Sequence, residues 1–125
     1  MLQAESGLNP YAERYGVWPD VSFGYSQIIV ATAAGYGVGD GSNTQANIAA
    51  VREALFDRAT SIDLGARHLA GCWARAEGYE PHDLQALVAY NSGRPRLPDD
   101  PYWTEWAGNV RAYQSALEWA RGVIG

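Results

Sequence analysis

Residues 60–76 read Thr-Ser-Ile-Asp-Leu-Gly-Ala-Arg-His-Leu-Ala-Gly-Cys-Trp-Ala-Arg-Ala. Within them Ile62, Gly65, Ala66, Leu69, Cys72/Trp73 and Ala76 recur at the spacing of one helical face. Thr60 and Ser61 stand where a side-chain oxygen can cap the first turn. The spacing predicts a helix buried along that stripe. A second stripe, Leu84, Leu87, Val88 and Asn91, follows Pro81. A third runs through Trp103, Trp106, Val110, Tyr113, Leu117 and Ala120, with Asp100 as N-cap and Pro101 at the first helical position. Alternation of period two is scarce, so the expected fold class is mostly α.

Two stretches, 7–24 and 35–45, read as irregular. Gly35, Gly37, Gly39 and Gly41 mark the second as a loop, which leaves open a groove wall, a lid or a disordered insertion. Residues 94–101, with three prolines and two aspartates, read as a rigid connector.

A chain of 125 residues, 47% of them hydrophobic, suffices for one ordinary core, and no linker divides it. The expectation is a single domain over residues 1–125. No apolar run approaches the roughly 20 residues of a membrane span, and the N-terminus lacks the zones of a signal peptide. A net charge of −5 without a basic cluster argues against nucleic acid as a partner. Cys72 is the one cysteine and sits at an apolar helical position, which favours a small buried hydrophobe over a nucleophile. His68 and His82 lack metal-ligand spacing, so neither metal nor other cofactor is expected.

Three short segments carry the chemistry, and their order matters more than any one of them. They are Glu5-Ser6-Gly7-Leu8-Asn9-Pro10, Phe23-Gly24-Tyr25-Ser26-Gln27-Ile28 and Ala89-Tyr90-Asn91-Ser92-Gly93. Cleavage of a glycosidic bond needs a carboxylic acid still protonated near neutral pH. Glu5, among flanking aromatic residues that would disfavour its charged form, is the candidate.

Together the three segments resemble the soluble lytic transglycosylase domain, a relative of goose-type lysozyme. Glu5-Ser6 corresponds to the family's catalytic Glu-Ser motif. Gly24-Tyr25-Ser26-Gln27 corresponds to its Gly-Leu-Met-Gln motif, with Tyr25 and Ser26 in place of the usual Leu and Met. Residues 55–69 resemble the helix before the third motif, with Ser61 where Asn is usual, and Ala89-Tyr90-Asn91 with Gly93 is that third motif. Glu105 aligns with a glutamate of the family's last helix.

The resemblance implies a lysozyme-like helical domain with a glycan-binding groove and long irregular loops. It also implies cleavage of the β-1,4 bond between N-acetylmuramic acid and N-acetylglucosamine, leaving 1,6-anhydromuramic ends. Glu5 would protonate the glycosidic oxygen and then accept a proton from the attacking hydroxyl. Ser6, Gln27, Tyr90, Asn91, Tyr25 and Trp18 are the expected substrate-binding residues, with Tyr36 and Glu105 as weaker candidates. Each has a plainer reading: a helix cap for Gln27, a core residue for Tyr90, a buried hydrogen-bonded side chain for Asn91.

Trp18-Pro19-Asp20 is similar to the Trp-Gly-Asp stretch of goose-type lysozymes, where a second carboxylate activates water. Asp20 is therefore the possible second carboxylate of a hydrolase, or simply a turn residue after Pro19. A binding module without activity is the third alternative. The expected partner is the peptidoglycan glycan strand, reached outside the cytoplasm. Only four residues precede Glu5, too few for a stable isolated helix. The expectation is that upstream residues, such as an export signal, were removed, or that the domain comes from a longer protein such as a virion or secretion-system component.

Overall fold

The computed structural model describes residues 9–124, which form a three-stranded antiparallel sheet and six α-helices. The chain divides into two compact units with the boundary between Arg67 and His68. The mostly helical expectation holds.

The first unit opens with β1 (Glu13–Tyr15), β2 (Val21–Phe23) and β3 (Ile28–Ile29), in the order β1-β2-β3. Glu13 pairs with Phe23 and Tyr15 with Val21, while Phe23 pairs with Ile28. The stretch read as irregular therefore contains a hairpin. Its strands escape a periodicity search because β1 is exposed and β2 buried at every position. Neither shows the inward–outward alternation of a half-buried strand. Phe23 anchors the sheet, its ring meeting Tyr15 at 5.5 Å and Phe56 at 6.1 Å, edge to face.

From β3 the chain passes into α1 (Val30–Ala33), a 3₁₀ turn at Ala34–Tyr36, and the glycine-rich loop before α2 (Gln45–Phe56). Buried Asn47 organises this loop. Its Oδ1 accepts the Asp40 N–H at 2.9 Å and its Nδ2 donates to the Ser42 carbonyl at 2.8 Å. Gly39, at φ +74°, lies so close that an added Cβ would stand 2.4 Å from Asn47 Oδ1 and 2.6 Å from Val51 Cγ2. Thr44 caps α2 by accepting the Asn47 N–H.

The helix expected from the opening stretch is α3 (Arg58–Arg75), and it starts earlier than its sequence suggests. Asp57 caps it, with Oδ2 accepting the Thr60 N–H at 3.0 Å and the Thr60 hydroxyl at 2.7 Å. Thr60 and Ser61 lie inside the helix. The buried face also differs: Ser61, Leu64, Gly65, Cys72 and Ala76 are buried, whereas Ile62, Ala66 and Trp73 are exposed. A buried face containing a serine is invisible to a search for apolar residues.

The second unit contains α4 (His82–Ser92), α5 (Tyr102–Glu105) and α6 (Ala107–Ile124). Every residue from Leu84 to Tyr90 is buried. Leu84, Leu87 and Val88 form a cluster with Tyr102, Val110 and Tyr113, against which Leu69, Trp103 and Leu117 pack. Asp100 caps α5 through the Tyr102 N–H at 2.8 Å, as expected. Two tryptophans of this region are exposed. Trp106 is 43% exposed at the break between α5 and α6, and Trp119 is 72% exposed. Two residues beyond Leu117, Trp119 is rotated about 200° around the helix from it and cannot share its face.

Buried Gln85 fastens the 94–101 connector. Its Nε2 donates to the Arg96 carbonyl at 2.7 Å and its Oε1 accepts the Arg96 N–H at 2.8 Å. Gln85→Ala should destabilise the chain by about 1–3 kcal/mol in urea unfolding, since two part-buried backbone groups of Arg96 lose their partner. A change below about 0.5 kcal/mol would refute the anchoring role.

Candidate active site

Glu5 and Ser6, the first motif, lie outside the described residues. The second motif is the turn joining β2 to β3, and its geometry begins with Gly24. At φ +78° and fully enclosed, Gly24 would place a Cβ 2.2 Å from the Leu55 carbonyl oxygen and 2.9 Å from Ser61 Oγ. No other residue fits there. Buried Ser26 fixes the turn to α3: its N–H donates to Ser61 Oγ at 3.2 Å, and the two hydroxyls are 2.9 Å apart. The turn is thus held at the junction where α2 ends and α3 begins.

Gln27 is the only described non-glycine residue with positive φ, at +49°. Strain of this kind persists where surrounding contacts over-determine it. Those contacts come from its own side chain. Oε1 accepts the Ser22 hydroxyl at 2.9 Å, while Nε2 donates to the carbonyls of Ala12 at 3.2 Å and Gly24 at 3.0 Å. The amide thereby ties the turn to both β2 and the segment before β1. Tyr25, at the tip, is half-buried, with the Arg58 guanidinium carbon 5.8 Å from its ring centroid.

Trp18 and Asp20 belong to the β1–β2 turn, Trp18 half-buried. Asp20 closes that turn: its carbonyl accepts the Gly16 N–H at 2.7 Å and its N–H donates to Val17. Its carboxylate accepts both Nε and Nη2 of Arg14, at 3.0 and 2.9 Å. Tyr36 has the Arg67 guanidinium over its ring at 5.8 Å.

In the second unit the third motif ends α4. Tyr90 is buried at 8% exposure, and half-buried Asn91 accepts the Tyr102 hydroxyl at 2.8 Å through Oδ1. Gly93, at φ +89°, terminates the helix in the left-handed region, its N–H donating to the Ala89 carbonyl. The ring of His68, from α3, lies 4.9 Å from that of Tyr90. Its Nε2 is 3.9 Å from the sulfur of buried Cys72, to which Arg75 donates at 3.2 Å. Burial, and secondarily the Arg75 charge, holds the His68 pKa below its ordinary value. Burial raises that of the Cys72 thiol against the opposing effect of Arg75. Glu105 is exposed at the end of α5.

Motif reading alone could not find Ser61, Gln85, Arg58 or the His68–Tyr90 contact, because each joins residues distant in sequence. The one available signal was Ser61, a departure at a motif-adjacent position. Among the described residues, no group of three or more His, Cys, Asp or Glu could hold a metal ion. None of the described helices is long and apolar enough to cross a membrane.

The described residues form a mostly helical fold with a small antiparallel sheet, in which the second motif is the β2–β3 turn and the third ends α4. A family model described as the transglycosylase SLT domain matches residues 1–101, and the chain belongs to that family. Membership associates it with peptidoglycan cleavage of the lytic transglycosylase type. No curated protein and no solved structure matches the chain at the significance required.

Gly24→Ala should destabilise the fold by about 3 kcal/mol in chemical denaturation, from backbone strain plus collision with the Leu55 carbonyl. Wild-type stability in that variant would contradict the packing described. A second expectation concerns pH. Because the His68 pKa is lowered by folding, its stabilising contribution is complete above the unfolded value of about 6.5. That contribution is lost as pH falls from there through the folded pKa. The urea midpoint should therefore drop between pH 7 and 5, and less steeply in His68→Phe, which keeps an aromatic ring against Tyr90. Equal drops in both proteins would exclude His68 as the cause.

Proposed function

We propose that the chain is a peptidoglycan lytic transglycosylase with Glu5 as its single acid and base. Glu5 protonates the oxygen between N-acetylmuramic acid and N-acetylglucosamine as that bond breaks, with positive charge developing at the anomeric carbon. The C6 hydroxyl of the same muramic residue then attacks, its proton passing to the Glu5 carboxylate, and a 1,6-anhydro ring forms. The substrate's N-acetyl group assists the first step. No water is consumed, and the enzyme returns to its starting protonation state.

The observation that carries the choice over a lysozyme-type hydrolase is the state of Asp20. An inverting hydrolase needs a second carboxylate free to take a proton from water, about 6.5–9.5 Å from the acid. The Asp20 carboxylate is instead paired with Arg14, and its backbone closes a hairpin turn. Both Arg14 donors fall on Asp20 Oδ2, which is thus already engaged as an acceptor. In this reading Gln27 is a positioning residue that holds the turn, while Tyr25, Trp18, Tyr90, Asn91 and Ser6 contact the glycan. The reaction takes place at the cell wall, outside the cytoplasm.

Two substitutions test the assignment. Glu5→Gln should lower the release of soluble muropeptides from purified peptidoglycan about a thousandfold, since the amide cannot donate an acidic proton. Asp20→Asn should leave turnover within about threefold of the starting rate, with any loss traceable to the hairpin. A loss in Asp20→Asn as deep as that in Glu5→Gln would move the protein to the hydrolases.

A further inference from the structure

The chain carries nine basic side chains, all arginine, against fourteen acidic ones. Six of the arginines are paired with a carboxylate: Arg14, Arg52, Arg67, Arg94, Arg96 and Arg121. Arg75 donates to the Gly93 carbonyl and to Cys72. Two remain, Arg111 on α6 and Arg58, both exposed and without a carboxylate partner among the described residues. Arg58 is the one of the two that lies over a ring of the second motif, that of Tyr25 at the tip of the turn.

Local stability does not account for Arg58. It is the first residue of α3, where the helix dipole is positive and a cation is unfavourable. Asp57 accepts the N–H groups of Thr60 and Ser61 at that helix end, without help from the Arg58 side chain. A guanidinium lying over an aromatic ring keeps its in-plane N–H groups available, and their fork matches a carboxylate.

Resting on the transglycosylase reading, we propose that Arg58, held against Tyr25, is a specificity-determining residue that receives a carboxylate of the substrate. Peptidoglycan strands carry such groups on the muramic acid itself, as the lactyl carboxylate of bare strands or as carboxylates of the attached stem peptide. A chain with a net charge of −5 repels them at long range, so recognition requires a local cation. Arg58 is such a cation, lying over Tyr25, which the proposed function places against the glycan.

The test uses Glu5→Gln, which should bind strands without cutting them, with and without Arg58→Gln. Binding is followed by calorimetry against three preparations: strands with stem peptides, strands stripped to the lactyl group, and strands whose carboxyls have been amidated. Arg58→Gln should weaken binding of a carboxylated preparation about fivefold and leave the amidated one unchanged. The preparation on which the loss occurs identifies the source of the carboxylate. Arg58→Lys, which keeps the charge without the planar fork, should fall between. An equal loss on amidated strands, or none on any, would overturn the assignment while leaving the transglycosylase reading intact. Absence of binding to every preparation by the chain with Arg58 present would overturn both. Thermal unfolding unchanged by Arg58→Gln keeps the comparison free of folding effects.

Discussion

The approach of Gly24 to the Leu55 carbonyl governs the first unit. A side chain at that position would occupy the space of the helix end, so the β2–β3 turn and the junction of α2 and α3 must be built together. The Ser26–Ser61 hydrogen bonds complete the attachment, and the Gln27 amide extends it to the Ala12 carbonyl ahead of β1. One glycine, two hydroxyls and an amide thus set the position of Tyr25 and Arg58. The strain at Gln27 persists because its side chain makes three hydrogen bonds that hold its backbone in place.

The second unit follows a different logic. Its centre is a helix buried along nearly its whole length, α4, whose last turn carries Tyr90 and Asn91 and whose end is set by Gly93. Rigid support comes from packing rather than from a hydrogen-bonded turn. The Tyr102 hydroxyl orients Asn91, the His68 ring lies against Tyr90, and Gln85 anchors the connector that leads to α5.

Much of the fold was legible in the residues. Three helices, the Asp100 cap and most of the loop expected at 35–45 follow from periodicity, capping chemistry and glycine density, although Gly35 and Tyr36 belong to a 3₁₀ turn and Gln45 opens α2. The short strands were not legible, because three residues of uniform burial contain no period. Nor was the true face of α3, since Ser61 points inward and Trp73 outward, opposite to what their polarity suggests. The second and third motifs were legible as motifs. Their mechanical roles were not, because Gln27 acts through Ala12 and Ser22, and Asn91 through Tyr102, contacts that no spacing rule encodes. The Arg14 partner of Asp20 was not legible either, because it joins two residues six apart across a hairpin that the sequence did not reveal.

The central claim is that one carboxyl group and the substrate's own hydroxyl suffice. The most direct measurement is the mass of the muropeptides released when the chain digests purified peptidoglycan. The account predicts products with 1,6-anhydromuramic ends, each one water molecule lighter than its hydrolysed counterpart. Release of reducing ends at the hydrolysed mass would contradict it and require a second catalytic carboxylate.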